Sequence, residues 1–388
     1  VVAMDVITLD FETFYDKQFS LSKMTTEEYI RDDRFEVIGV STKINDEKAK
    51  WFPNYEGIIQ PHFAEINWDE VIIIAHNAMF DGAILSWRYG IKPRMIVDTM
   101  SMSRAIDGVG VRHSLRACAE RYGLGEKGTE VLNALGKQLR DFSSSELIRY
   151  GQYCINDVNL TFDLFCMYAR VFNGEEIKVI DATIKMFTDP ILELDVPLLE
   201  QHLDSVITEK EELMLAAQAN SEVLQSNPKF AECLRTLGVE PPTKISPRTN
   251  KETFAFSKSD KAMTALLEHP NVAVQTLVAA RIGVKSTLEE TRTNRLLGIA
   301  KRAGVLPVPL RYYAAHTGRW GGSDKLNMQN LPSRGSNTIK QAIIAPEGHV
   351  LIDADSSQIE ARTLAWVSGQ ADLVNAFAND EDVYKIMA

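Results

Sequence analysis

Val6, Ile7, Thr8 and Leu9 form an apolar, β-branched run that ends in the block LDFETF, and Val71-Ile72-Ile73-Ile74 leads directly into AHNAMFD. Runs of this kind read as buried strands, so each delivers acidic side chains to the end of a sheet. Alternation along the first strand sends Asp10 and Glu12 to the same face. A third block, YCIND, lies in a segment of helical spacing, where Tyr153 and Asp157 are four apart and share a face. Acids gathered from separated strands and helices repel one another unless cations lie between them, and a hard divalent ion with oxygen ligands, Mg²⁺ or Mn²⁺, suits such a set. Asp10, Glu12, Asp81 and Asp157 thus point to phosphodiester chemistry with two cations, one activating water and the other stabilising the leaving oxygen.

Taken singly these blocks are ordinary. A lone D-x-E at a strand end is usually a solvated edge or a helix cap, and Tyr and Asp at i, i+4 usually decorate a helix face. Their order is what carries weight: a strand-borne D-x-E, then H-N-x-x-F-D after a buried run, then Y-x-x-x-D on a late helix. In that order the blocks resemble the DEDDy group of 3′-5′ exonucleases, whose fold is ribonuclease H-like, over roughly residues 5–175. The resemblance implies that Asp10, Glu12 and Asp157 hold the ion that bears on the nucleophilic water, and that Asp81 serves the second ion, through water. It implies an orienting role for Tyr153, since a phenol with an ordinary pKa of about 10 is better suited to positioning than to taking a proton. Asn77 is expected to hydrogen-bond the terminal nucleotide. Asp98, in IVDTM, and His113 are expected to cap or to satisfy core hydrogen bonds.

Composition narrows the class. A chain of 388 residues with 45% hydrophobic and 24% charged content is long enough for two or three domains with full cores. Its apolar runs, such as VIIIA, fall far short of the roughly 20 residues that span a bilayer, and no charged-then-apolar leader opens it. Cys118, Cys154, Cys166 and Cys233 form no C-x-x-C pair, so neither zinc nor a disulfide framework is indicated and a reducing cytoplasm fits. Val1-Val2-Ala3 ahead of Met4 reads as sequence placed before a native start.

The net charge of −11 hides a local excess of base. Between Gln275 and Arg319 stand Arg281, Lys285, Arg292, Arg295, Lys301, Arg302, Arg311 and Arg319, against Glu289 and Glu290 alone. Phosphate contact is the expectation there, with Arg281, Lys285, Arg292 and Arg295 meeting duplex DNA.

The pattern changes between Phe187 and Pro197, where Asp189-Pro190 and Asp195-Val196-Pro197 act as breakers. A long amphipathic helix is expected from Leu198 to about Leu224, then a loop around Pro241-Pro242, Pro247 and Asn250, then helices from Ser259 to Gly304. The expected division is an exonuclease domain over 1–185, a helical region over 186–305 and an α+β segment over 306–388.

The last segment contains T-G-R at 317–319, N-x-Q-N-L-P at 327–332 and D-x-S-Q-I-E-x-R at 355–362. In this order they resemble the start of the palm of family A DNA polymerases, which makes the helical region a thumb. The resemblance implies that Asp355 binds catalytic metals, that Glu360 excludes ribonucleotides, and that Arg319, Gln329 and Asn330 track the primer–template. Val350, Leu351 and Ile352 run into Asp353 and Asp355 as an expected strand, with both acids on one face. Ser356 departs from the family, where an aromatic usually follows the catalytic aspartate.

The fingers helix and second palm aspartate that such enzymes need do not occur in this sequence. The chain by itself is therefore expected not to polymerise; dNTP would bind only in the complete polymerase, and a separate polypeptide carrying fingers and the second palm motif is an expected partner. The reading is an α/β chain: a ribonuclease H-like exonuclease domain, a mainly helical thumb and an incomplete palm, acting as a two-metal proofreading exonuclease that releases dNMPs. Rival readings are a free-standing RNase D-like enzyme and a non-catalytic DNA-binding scaffold. The palm-like blocks argue against the first, and the intact acidic set against the second.

Overall fold

The computed structural model describes residues 4–128, 133–331, 337–383 and 385. The chain divides into two compact units, Val1–Ile344 and Ala345–Ala388.

The first unit is built on a five-stranded sheet of order β3-β2-β1-β4-β5, with β1 Asp5–Thr13, β2 Val37–Ile44, β3 Lys50–Pro53, β4 Val71–Ala75 and β5 Met95–Asp98. β1 pairs antiparallel with β2 and parallel with β4, so it lies at the centre of the sheet. Alternation explains its two-sided use. Ile7, Leu9 and Phe11 enter one core with Tyr29, Ile38, Ile59 and Phe63, and each such buried side chain contributes about 1.5–3 kcal/mol. Asp10 and Glu12 fall on the opposite face, and a register irregularity between Glu12 and Thr13 ends the regular pairing just beyond them.

Two glycines let a helix reach that acidic face. Trp51 on β3 packs where a Cβ on Gly39 would meet its ring at 2.3 Å, and where one on Gly151 would meet it at 2.4 Å. Gly151 belongs to the helix Ser144–Tyr168, which starts at a Ser143/Glu146 capping box. Without a Cβ there, the helix settles close against the strand edge and carries Tyr150, Tyr153, Cys154 and Asp157 over the sheet.

Beyond Thr188 the fold is mainly helical. The helix Val196–Ala216 begins with Asp195 as N-cap and Pro197 in its first turn, as the breakers suggest, and packs against Val272–Lys285 and Leu288–Ala303. It ends earlier than expected: the chain turns after Ala217, and two shorter helices, Ser221–Gln225 and Asn227–Thr236, follow. The segment expected as loop forms a small hairpin, Thr243–Ile245 with Glu252–Phe254.

In the second unit the helices Ile359–Ser368 and Ala371–Ala378 pack through Ala365, Ala376 and Phe377. The strand expected over Val350–Ile352 is corrected: these residues are irregular and exposed, Val350 and Ile352 each at 81%. A strand takes its stability from neighbours, and among the described residues none pairs with it.

Candidate active site

Asp10, Glu12 and the thiol of Cys154 have ligand atoms within 4.8 Å of one another. Glu12 is buried, and its Oε2 accepts the Tyr150 hydroxyl at 2.6 Å. Cys154 Sγ donates to the Asp10 carbonyl at 3.3 Å. Asp81 sits on the helix Ala78–Tyr89, buried, with Oδ1 accepting the Phe11 N–H at 3.1 Å. Asp157 is buried as well; Oδ2 takes an ion pair from Lys127, while Oδ1 is buried with no hydrogen-bond partner among the described residues.

Burial and mutual repulsion dominate the electrostatics. Asp10 is pushed up to about 7, chiefly by desolvation and then by Asp157. Glu12 and Asp81 are raised well above the ordinary carboxylate range, chiefly by burial and then by Asp10. Asp157 is raised by burial although Lys127 opposes it. Buried acids are normally paired or bound to metal. Among the described residues, Lys127 is the one cation in a salt bridge with any of the four carboxylates. Oxygen donors on a rigid sheet and two helices, an orphaned Asp157 oxygen and this excess of negative charge suit a hard divalent cation.

Tyr153 is buried beside Asp157 and stacks on Tyr150, ring centroids 6.2 Å apart. Burial, then Asp157 and Glu12, raise its pKa far beyond the ordinary phenol value, so it stays protonated and acts as a donor. A cleft of about 570 Å³ opens beside Glu12, lined by Phe11, Tyr15, Leu21, Phe80 and Leu135. Asn77 is exposed at the N-terminus of the Asp81 helix in the left-handed conformation, φ 73°, and its side chain caps nothing. Its N–H is held by Asp98, which also accepts from Ala78, Met100 and Ser101 and so caps two helices. His113 accepts His76 at its carbonyl and meets Ser103 through its ring, a core hydrogen-bonding part as expected. Burial holds His76 down to about 4, so it is a neutral bridge between Thr99 and His113.

The basic stretch needs correction. Arg281 is 0% exposed. It donates to the Leu224 carbonyl and to Asn227, and lies over the rings of Phe230 and Phe256, at 5.0 and 5.6 Å. Its position was legible: it stands on the stripe of Val274, Leu277, Val278 and Val284, the buried face of its helix. Arg295 is also no phosphate contact, because it bridges to the first helix of the chain, with Glu28 and the Thr25 hydroxyl each at 2.7 Å. Arg302 grips Glu27 through two bonds of 3.0 and 2.7 Å. Lys285 is exposed, and Arg292 lines a cleft with Arg311 and Lys325.

Arg319, Gln329 and Asn330 are exposed in the first unit, and Asp355 and Glu360 in the second. Sequence reasoning passed over Lys127, Tyr150 and Cys154. Tyr150 carried a signal, three residues before Tyr153 and seven before Asp157 on one helix face. Lys127 carried none, since it sits in a loop and reaches Asp157 only through the fold.

Residues 3–167 match the family described as 3′-5′ exonuclease, and residues 197–388 match DNA polymerase family A. DNA polymerase I of Pseudomonas aeruginosa is 26% identical over 302 residues, covering 75% of this chain and 33% of that protein. The Treponema pallidum enzyme of the same name is 24% identical, covering 83% and 33%. Thermostable DNA polymerase I of Thermus aquaticus is 40% identical over 88 residues, covering 22% of this chain and 10% of that protein. The solved POL domain of Pol1 from M. smegmatis, in complex with DNA primer-template and dNTP, shares the fold at a TM-score of 0.64 and 19% identity, covering 98% of this chain and 62% of that one. The chain spans about a third of the length of the first two polymerases. The α/β sheet with its acidic face, the helical region after it and the palm motifs agree with both family matches, and the chain belongs to DNA polymerase family A, with a 3′-5′ exonuclease domain at its N-terminal end.

Proposed function

We propose that this chain is the proofreading part of a DNA-directed DNA polymerase, hydrolysing the 3′-terminal phosphodiester of DNA and releasing a dNMP. The observation that carries the reading is the set Asp10, Glu12, Asp81 and Asp157, Asp10 half-buried and the other three buried, whose charge one lysine among the described residues does not balance. Mg²⁺ or Mn²⁺, when bound, supplies the positive charge that acidifies water and stabilises the leaving oxygen. Asp10, Glu12 and Asp157 would hold one ion and Asp81 would serve the other.

The chain's own residues do the rest. Tyr153, held protonated, donates a hydrogen bond that orients the attacking water. Tyr150 fixes the Glu12 carboxylate by donating to Oε2. The cleft beside Glu12 offers Phe80, Tyr15 and Leu135 as an apolar bed for an unpaired terminal base, and Asn77 stands at the head of the Asp81 helix to meet the nucleotide. Lys285, Arg292, Arg319, Gln329 and Asn330 are the groups proposed to contact primer–template DNA, while Asp355 and Glu360 are proposed for the metal and dNTP of a complete polymerase with a fingers-bearing polypeptide.

End-labelled single-stranded DNA tests this. With Mg²⁺ the wild-type chain should shorten it one nucleotide at a time from the 3′ end. Asp157→Ala should leave it intact. Digestion by Asp157→Ala at the wild-type rate removes the assignment.

A further inference from the structure

Lys127 has no part in the reading above, yet it is built into the site. Its ammonium binds Asp157 Oδ2 and lies 5.2 Å from the centre of the Tyr153 ring. The lysine side chain is 24% exposed, whereas Asp157 is 3% exposed. The loop backbone is pinned on either side. Asn156, the neighbour of Asp157, donates to the Glu126 carbonyl at 3.0 Å, and Arg116 donates to the Gly128 carbonyl at 3.1 Å. A flexible surface lysine would be under no such constraint.

We propose that Lys127 is the resident counter-ion of the exonuclease site, whose tethered ammonium offsets part of the carboxylate charge in the metal-free protein and sets the divalent-ion concentration at which the site loads. The inference rests on the metal-site reading above. Four clustered carboxylates without any cation would repel one another strongly, and the lysine limits that repulsion. A fixed positive charge near the same oxygens repels an arriving dication and occupies Asp157 Oδ2, so loading proceeds against it. Asp157 Oδ1, which has no hydrogen-bond partner among the described residues, is the oxygen left to meet the metal first. A lysine does this better than an arginine would, because a single compact ammonium on a long stem holds one oxygen and withdraws without breaking a bidentate pair.

Mn²⁺ binding to the purified chain, without DNA, at one pH near 7.5 tests the idea by calorimetry or by the paramagnetic signal of free Mn²⁺. Lys127→Met and Lys127→Gln should bind Mn²⁺ about tenfold or more tightly than wild type, and should unfold at lower urea when metal is stripped. Lys127→Arg, which keeps the charge, should stay within a few-fold of wild type and restore metal-free stability. Unchanged or weaker Mn²⁺ binding by both neutral variants overturns the proposal, and weaker binding would assign Lys127 instead to orienting Asp157. Failure of the wild-type chain itself to bind Mn²⁺ would count against the metal-site reading, a result distinct from either.

Discussion

Two groups of buried charge in this molecule look alike in sequence and behave in opposite ways. At the sheet, Asp10, Glu12, Asp81 and Asp157 have between them, among the described residues, one salt bridge, from Lys127 to Asp157. Where the first helix, Thr26–Arg31, meets the helix Leu288–Ala303, Glu27 is as deeply buried but is gripped by Arg302 at two oxygens, with Arg295 also on Glu28 and the Thr25 capping hydroxyl. Asp324 closes the same junction by accepting the N–H groups of Thr26 and Glu27, at 2.6 and 3.3 Å. Matched charge of this kind holds two elements in one arrangement. Unmatched charge leaves repulsion that a bound cation or a proton can relieve. The first is architecture and the second is a site, and partner count separates them where residue type does not.

The sharpest way to break this comparison is to take one carboxylate from the unmatched group. Asp10→Asn should reduce Mg²⁺-dependent removal of 3′ nucleotides to background while making the metal-free protein more stable at pH 8. Asp10 has a folded pKa of about 7 against an ordinary 3.8. The folded state therefore binds its proton more tightly, and stability contributed by that proton is full below about 4 and is lost as pH rises through about 7. Urea unfolding of metal-stripped wild type should weaken across that window, and Asp10→Asn should flatten it. Equal pH dependence in both proteins would show that Asp10 is not the group whose protonation stabilises the metal-free fold across that window.

Tyr153→Phe comes next in size. Because the hydroxyl stays protonated and donates, its loss should slow single-turnover cleavage by about 10², the low end of general acid–base contributions, with little change in DNA affinity. A parallel loss of affinity would move Tyr153 from orienting water to stacking on the substrate.

Arg302→Ala tests the matched group. It leaves Glu27 with Arg295 at 3.6 Å as its remaining arginine contact from that helix. The cost should be about 2 kcal/mol, between values for exposed and fully buried pairs, read as a lower urea midpoint at unchanged cleavage rate per folded molecule. A normal midpoint would mean that the junction is held by its apolar contacts alone.

How far the sequence reveals these differences depends on the range of the signal. Asp10, Glu12, Tyr153 and Asp157 were legible because alternation and i, i+4 spacing act within one element, and β1, β4 and the helix Ser144–Tyr168 lie where their periodicity placed them. Arg281 was misread because counting charges ignored the apolar stripe it stands on. Arg295 and Arg302 could not be assigned from spacing, since Glu27 and Glu28 lie more than 260 residues away in the chain. Lys127 is the same case at shorter range. Val350–Ile352 shows the converse, a strand pattern that no described neighbour completes.

The smallest effect separates the basic residues that face solvent from those that face protein. If Lys285 and Arg292 meet phosphates, neutralising either should weaken binding of all duplex sequences alike and flatten the slope of log K against log salt by about 0.9. Arg295→Gln removes a charge from the same stretch, but one already spent on Glu28, so the slope should stay as it is while the unfolding midpoint falls. Arg281→Met should behave likewise, because its guanidinium has no exposed surface from which a counter-ion could be displaced. A slope that drops equally for Arg292 and Arg295 variants would mean that the junction opens when DNA binds, and the matched group would then be a latch rather than a fixed joint.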